Sequence, residues 1–210
     1  EFDVAHGARP TRLLHRALGI NCLSAEPLPL FGVGVEGREI DINKFKLTGA
    51  IATRNQAGYM LTYTCADPAL EVSVTLSAGD VASIDFRMDI RNIGAQPIRV
   101  EPIGPRLTSV LVGPAAEMWF MYPASETTLS DENKELSQWY GGSFMSLQFM
   151  DTYNPLLGGG LGLQVRDVDS LEKMYHLQKT DSGVSMRLVY QPRELAPLGI
   201  YNLAPTQVQV

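Results

Sequence analysis

Apolar and polar side chains alternate along much of this chain. At 83–92 and again at 70–77, every second side chain is apolar and the side chains between them are polar or charged. Because successive side chains of a strand point to opposite faces, each segment predicts a strand with one face for a core and one for water. Shorter or less regular alternation predicts further strands at 59–65, 145–149, 161–165, 175–177 and 184–190.

Short segments of turn-forming residues separate these predicted strands. They lie at 56–58, 66–68, 78–80, 92–94 and 180–183, and each contains Gly, Pro, Asp or Asn. Connections this short favour antiparallel hairpins, and strands with one apolar face need a second apolar face to pack against. The pattern therefore predicts an all-β fold: one domain over 1–210, a large antiparallel two-sheet sandwich (supersandwich) with at most one or two short helices.

Two stretches have helical features. In the first, Ser130 is a candidate N-cap, Leu136 and Trp139 are three residues apart, and Gly141 is a candidate stop signal. The second, at 10–18, is ambiguous between a helix and an irregular leader. Alternation is weakest at 101–142, which contains both tryptophans. We expect loop-rich insertions there, at the rim of the sandwich, where binding residues usually concentrate.

Composition narrows the classes of partner. The 210 residues carry a formal net charge of -6, without a cluster of Lys and Arg, which argues against nucleic acid and anionic membranes as partners. The sequence shows neither an apolar run of about 20 residues nor a signal-peptide pattern. It begins without Met and ends in the strand-like Gln207–Val210, so we expect a fragment of a longer multidomain protein. The compartment stays open, although a carbohydrate-active role would favour a secreted or periplasmic location.

Common catalytic and metal-binding motifs are absent from the sequence. There is no serine-hydrolase elbow, zinc-protease helix, phosphate-binding loop or EF-hand loop, so we predict no catalytic residue, metal or cofactor. The two cysteines, Cys22 and Cys65, suit neither a disulfide framework nor a zinc pair, and Cys65 should be a small buried residue. Gly158–Gly160 predicts a turn or bulge before a strand. Asp167 and Asp169 could ligate calcium, but a turn at this position is the favoured interpretation.

Aromatic residues are the candidates for binding, because sugars stack their C–H faces on flat rings while polar neighbours bind the hydroxyls. The candidates are Trp119, Tyr122, Trp139, Tyr140 and Tyr153. The alternative is that these rings pack in the core or at the rim. His176 falls on the outward phase of its strand, which predicts a solvent-facing residue, and the alternative is a general acid in a sugar cleft.

Several segments occur in an order typical of a known module. They are FMDTY at 149–153, GGLGLQVRD at 159–167 and KMYHL at 173–177, preceded by NIG at 92–94 and PIRV at 97–100. This order resembles the galactose-mutarotase-like supersandwich that precedes the catalytic barrel of several glycoside hydrolases, including relatives of the endo-α-N-acetylgalactosaminidases. The resemblance implies a catalytic domain following in the same chain, a carbohydrate partner, and a scaffolding or substrate-flanking role for this segment.

The sequence departs from the true mutarotases, which share the fold. It lacks their Asn-His-x-x-Phe-Asn segment, and only His176 with a distant Glu194 is available as a catalytic pair. The leading hypothesis is therefore a non-catalytic β-sandwich module of a carbohydrate-active enzyme. The alternatives are a free-standing carbohydrate-binding or adhesion domain that uses Trp139 and Tyr140, an aldose epimerase, and a structural sandwich of a capsid or secretion assembly.

Overall fold

A computed structural model of the chain describes residues 1–3, 9–23, 29–53, 58–79, 82–123, 127–140, 147–168 and 171–209. Strands dominate these residues. In chain order they are β1 Phe2–Asp3, β2 Arg9–Pro10, β3 Leu14–His15, β4 Ile20–Asn21, β5 Gly32–Val35, β6 Arg38–Glu39, β7 Lys46–Ala52, β8 Gly58–Ala66, β9 Ala69–Ala78, β10 Ser83–Asn92, β11 Ile98–Val110, β12 Trp119–Pro123, β13 Thr127–Ser130, β14 Lys134–Tyr140, β15 Phe149–Asn154, β16 Gly159–Val165, β17 Lys173–Thr180, β18 Gly183–Tyr190, β19 Arg193–Leu195, β20 Ile200–Asn202 and β21 Thr206–Gln209. Two short 3-10 turns lie at Ile42–Lys44 and Ala115–Glu117.

Two antiparallel sheets contain most of the described strands. The first sheet has the order β13-β12-β15-β16-β21-β10-β9-β8-β7, with β20 also paired to β10. The second has the order β14-β17-β18-β11-β5-β6, with β19 also paired to β11. One hydrophobic cluster contains buried side chains from both sheets, including Phe86 from the first and Leu188 from the second. The prediction of an all-β antiparallel two-sheet sandwich is confirmed.

The predicted inward phases of β9 and β10 are confirmed by burial. Leu70, Val72, Val74 and Leu76 of β9 are buried. On β10, Phe86, Met88 and Ile90 lie in the same cluster. Burying an aliphatic side chain of this size contributes about 1.5–3 kcal/mol. A slip of one residue would turn these side chains to water, so the apolar pattern holds the register of the two strands.

The other predicted strands are present where the structure describes them. Residues 59–65, 161–165, 175–177 and 184–190 lie in β8, β16, β17 and β18. The 145–149 prediction partly lies outside the described residues, and β15 begins at Phe149. Turns are confirmed at 66–68 and 180–183, while residues 56, 57 and 80 of the other predicted turns are not among those described. Cys22 and Cys65 are buried free thiols.

The helix predicted from Ser130 is wrong. β13 ends at Ser130 in the first sheet, and β14 begins at Lys134 in the second, so the chain crosses between the sheets here. The Ser130 hydroxyl accepts the backbone N–H of Glu132, as a cap would, but it does so in this connection. β14 pairs with β17 at all seven of its positions. This ladder satisfies the backbone and outweighs the local helical signals.

The loop-rich insertion predicted at 101–142 is also wrong. Strands β11, β12, β13 and β14 contain most of its described residues. Register shifts within β11 explain part of the weak alternation, since a bulge changes which residues face the core. At 10–18, the structure has the short strand β3 followed by a turn instead of a helix.

A buried ion pair joins the end of β16 to the start of β17. Lys173 Nζ lies 2.6 Å from Asp167 Oδ2, donates to the Leu171 carbonyl, and lies 4.8 Å from the centre of the Tyr140 ring. Burial lowers the pKa of Lys173, and Asp167 opposes this by stabilising the ammonium. Asp167 also accepts the backbone N–H of Leu171, which supports the turn interpretation of this segment, whereas Asp169 lies outside the described residues.

We expect Lys173→Met to destabilise the fold by about 3–5 kcal/mol, because it leaves the Asp167 carboxylate buried without its cation. Urea denaturation followed by circular dichroism measures this change. Adding Asp167→Asn should recover part of the loss, and Lys134→Met, on the exposed surface of β14, is the matched control. A loss below about 1 kcal/mol for Lys173→Met would contradict a structural role for the pair.

Candidate functional site

The structure divides the predicted binding residues between the two sheets. Trp119 on β12 is the direct cross-strand partner of Tyr153 on β15, so these two rings lie side by side in the first sheet. Trp139 and Tyr140 lie on β14, and His176 on β17, both in the second sheet. The residues therefore form two separate groups.

A groove crosses the outer face of the first sheet above β16. Gly160 and Gly162 occupy two successive outward positions of β16, so the strand has no side chain there, and the next outward residue is Gln164. The neighbouring strands are β15 on one side and β21 on the other, at roughly 9–10 Å from each other. The groove has a volume of about 330 Å³, and the side chains at its sides are those of Phe149, Asp151 and Tyr153 on β15 and Gln209 on β21.

Gly160 is required at the floor of this groove, whereas a side chain at Gly162 would force the ring of Phe149 to move. A Cβ atom at Gly160 would lie 2.7 Å from the Thr152 carbonyl oxygen, and one at Gly162 would lie 2.7 Å from a ring carbon of Phe149. The predicted turn at 158–160 is confirmed at Gly158, which has a φ of 68°. Gly160 and Gly162 were not predicted to share one face, although their spacing of two residues within an alternating strand carries that signal.

Asp151 lies between Phe149 and Tyr153 on the outward face of β15. Burial raises its pKa to about 6, and the Thr152 backbone partly opposes this shift. None of the ion pairs among the described residues involves Asp151. A carboxyl group whose pKa is perturbed by burial within a cleft is a sign of a functional site, because it is poised to exchange or share a proton near neutral pH. Asp151 was not among the binding residues predicted from the sequence.

The far side of the groove presents an amide. Gln209 is the cross-strand partner of Gly162, and its Nε2 donates to Oε1 of Gln164 at 2.8 Å. Together with Asp151, it places hydrogen-bonding groups on both sides of a floor without side chains. Rings beside hydrogen-bonding groups form a surface that suits sugars, whose C–H faces contact rings while their hydroxyls bind polar atoms.

Trp139 and Tyr140 point to opposite faces of the second sheet. Trp139 faces outward and is 41% exposed, whereas Tyr140 faces inward and packs against Tyr175 at 6.4 Å between ring centres. The two rings therefore lie on opposite faces of the sheet, because adjacent strand residues alternate. Tyr122 is also buried, and its hydroxyl donates to the Tyr175 carbonyl at 2.6 Å, so both tyrosines contribute to packing.

His176 lies on the outer face, as the alternation indicates, but it is only 6% exposed, so its prediction as a solvent-facing residue is wrong. Ser137 Oγ lies 2.7 Å from its Nδ1, and Glu135 Oε1 lies 3.7 Å from its Nε2. Burial and the nearby Arg187 lower its pKa, and Glu135 opposes them. The carboxylate beside His176 is therefore that of Glu135, whereas Glu194 lies opposite Arg99 on β11.

The described part of the chain shows neither a cluster of metal ligands nor a membrane-spanning helix. Its His, Cys, Asp and Glu side chains form no group of three or more that could hold a metal ion. It contains no helix with the length and hydropathy needed to cross a membrane. Neither feature adds to the groove as a candidate site.

Known proteins share the fold of this chain but not its sequence. No protein-family model and no curated protein matches. The chain is similar to the α-galactosidase from Lactobacillus brevis, with 12% identity and a TM-score of 0.56 over 96% of this chain and 33% of that one. It is similar to GH36 α-galactosidase AgaA from Geobacillus stearothermophilus, with 11% identity and a TM-score of 0.56 over 90% of this chain and 31% of that one.

A third similar structure is a TPR-domain containing protein from Parabacteroides distasonis, with 14% identity and a TM-score of 0.60 over 96% of this chain and 43% of that one. The chain thus spans less than half the length of each of these proteins. At such low identities the likeness shows the fold alone. The β-sandwich seen here therefore also occurs as a part of α-galactosidases, and it is not confined to them.

The raised pKa of Asp151 predicts a pH dependence of stability. The folded protein binds this proton more tightly than the unfolded chain does, so ionisation of Asp151 lowers the free energy of unfolding as the pH rises from about 4 to about 6. Between pH 4 and pH 7, the wild type should lose roughly 1–2 kcal/mol more than Asp151→Asn, allowing for the partial burial of the side chain. Urea denaturation at a series of pH values measures the difference.

The control is Asp131→Asn, the same chemical change at an exposed position. In parallel, NMR titration of the Asp151 side-chain carbon should give a midpoint near pH 6. A midpoint near 4, together with parallel stability curves for the wild type and Asp151→Asn, would show that the carboxyl is well solvated in the groove.

Proposed function

We propose that this chain is a non-catalytic β-sandwich domain of a carbohydrate-active protein, and that it binds glycan in the groove above β16. The observation that carries this proposal is the groove itself, where Phe149 and Tyr153 flank the partly buried Asp151 beside a floor of glycine. The shared fold is a second support, since about a third of two α-galactosidases matches nearly the whole of this chain.

The spacing of the groove side chains suits a sugar. Phe149, Asp151 and Tyr153 alternate along β15, so neighbouring side chains are roughly 6.5–7 Å apart. A pyranose could place its apolar face on the Tyr153 ring while a hydroxyl donates to Asp151. Trp119 lies beside Tyr153 and lengthens the aromatic surface along the sheet, which would serve a chain of more than one sugar.

The same groove argues for binding and against hydrolysis. Glycosidases generally need two carboxyl groups about 5–10 Å apart across the scissile bond. Among the described residues that line the groove, Asp151 has the only carboxyl group. The reaction of the parent protein would then belong to another domain of the same chain, with this domain as a scaffold or as a holder of substrate.

A free-standing carbohydrate-binding or adhesion domain is the second candidate. The exposed ring of Trp139, on the opposite sheet, favours it because such a domain gains avidity from a second contact surface. The two candidates share the groove and differ in the rest of the parent protein. The aldose epimerase has weaker support, since the carboxylate proposed for its catalytic pair, Glu194, lies on β19 opposite Arg99.

Replacing Tyr153 tests the groove. Titration calorimetry with a panel of neutral oligosaccharides that includes α-galactosides should identify a ligand, and Tyr153→Ala should weaken its binding about tenfold or more, equivalent to about 1.4 kcal/mol. Asp151→Asn should weaken binding less, because its amide still accepts a hydrogen bond. Circular dichroism should show that both variants keep the fold.

Tyr59→Ala is the matched control, since Tyr59 is an exposed tyrosine on β8 of the same sheet, roughly 24 Å away by strand spacing. It should bind the ligand as the wild type does. Equal losses in Tyr59→Ala and Tyr153→Ala, or no binding to any oligosaccharide, would contradict the proposed site.

A further inference from the structure

The outer face of the second sheet contains a row of basic side chains. Ser137, His176, Arg187 and Arg106 are direct cross-strand partners in turn, on β14, β17, β18 and β11. Like charges placed directly opposite each other in a sheet are destabilising. The facing arginines Arg106 and Arg187 therefore need compensating negative charge, and the ion pairs among the described residues provide a carboxylate for Arg106 and none for Arg187.

Arg106 is fully engaged. It lies 2.5 Å from the Glu39 carboxylate and donates to the carbonyls of Pro29 and Phe31. Arg187 is different, because none of the ion pairs among the described residues includes it and its buried Nε has no hydrogen-bond partner there. A guanidinium that is partly buried without a carboxylate is costly, and such groups are usually paired.

A pocket of about 220 Å³ adjoins Arg187. Gln178 and Ser185 line it, and they lie two residues along the strands from His176 and Arg187 respectively, on the same outward face. The Ser185 hydroxyl accepts the N–H of Ser109, which leaves its own proton for donation. Glu135 also lines the pocket, but its side chain is 60% exposed and its carboxylate lies beside His176.

On the other side of the basic row, Trp139 and Met174 are cross-strand partners on the outward face. They lie two residues along β14 and β17 from Ser137 and His176, or roughly 6.5–7 Å. Trp139 is therefore two strands and two residues from Arg187, roughly 12 Å between Cα atoms, and the two long side chains can shorten this separation. The face combines an aromatic surface, a cation without an ion-pair partner among the described residues, and neutral hydrogen-bond donors.

We propose that this pocket binds a carboxylate, held by the Arg187 guanidinium with Gln178 and Ser185 as further donors, and that the carboxylate belongs to an acidic sugar whose ring extends toward Trp139. Arginine pairs with a carboxylate through two parallel hydrogen bonds, which suits a planar anion in a small pocket. The carboxylate site is independent of the groove on the first sheet, whereas the choice of a sugar as its carrier rests on the proposed function.

The test uses the isotopically labelled chain and three probes: D-glucuronate, D-glucose and acetate. In NMR titrations, glucuronate should shift the Nε–H resonance of Arg187 and bind at least tenfold more tightly than glucose. Arg187→Met should weaken glucuronate binding tenfold or more. Arg99→Met, which removes an exposed arginine of the same sheet outside the pocket, should leave binding unchanged.

Stability without ligand separates a binding role from a structural one. Arg187→Met should raise the melting temperature, since it removes a partly buried guanidinium that has no carboxylate partner among the described residues, whereas a structural arginine would lower it when replaced. If Arg187→Met fails to fold, Arg187→Lys keeps the charge and should still weaken glucuronate binding because it loses the paired hydrogen bonds. Equal binding of glucuronate and glucose, or unchanged binding in both Arg187 variants, overturns the proposal.

Two further variants test whether the bound carboxylate belongs to a sugar and whether the Arg187 pocket is separate from the groove. Trp139→Ala should weaken glucuronate binding and leave acetate binding unchanged, and an equal effect on both probes would overturn the placement of the sugar ring on Trp139. Tyr153→Ala, in the groove of the first sheet, should not affect glucuronate binding at Arg187. Failure of the groove to bind neutral glycans is thereby distinguishable from failure of the carboxylate pocket.

Discussion

The inner faces of the two sheets bury against each other, and every other feature of the structure depends on this contact. Each long strand has one apolar face, so neither sheet is stable in water alone. Once the two faces are joined, the outward positions are free to vary, provided that they keep the strands paired. The groove above β16 and the pocket beside Arg187 both lie on these outward faces, on opposite sides of the sandwich.

Lys173, Asp151 and Arg187 are ionisable groups that are partly or fully buried. Whether such a group has an ion-pair partner distinguishes a structural role from a candidate binding role. Lys173 is fully buried, and a carboxylate, a carbonyl and an aromatic ring surround its ammonium. These contacts hold the segment between β16 and β17 in place. Asp151 and Arg187 take part in none of the ion pairs among the described residues. Burial without a partner lowers stability, and sites that bind ligands commonly retain such groups because the ligand supplies the partner.

Glycine gives the first sheet its groove by removing side chains from one strand. Strand β16 keeps its inward residues, Leu161 and Leu163, in the core, while Gly160 and Gly162 leave its outward face without side chains at two successive positions. The ring of Phe149 lies against Gly162, which shields backbone that would otherwise face water. The inward residues of β16 thus pack the core and alternate outward residues form the groove. The choice of residues on one face does not constrain the choice on the other.

The alternation of residues by itself determined the all-β class, the strands β8, β9 and β10, and the residues of those strands that enter the core, because the period of two is local and each apolar face must be buried. It could not reveal that Ser130 and Lys134 belong to different sheets, or that His176 is covered, since strand pairing between distant segments decides both. Tyr153 was visible as an aromatic residue, but its neighbours were not. Tertiary structure alone placed it beside Trp119, Asp151 and the bare face of β16, because the members of a site on a sheet come from strands that are adjacent in space and often remote in sequence.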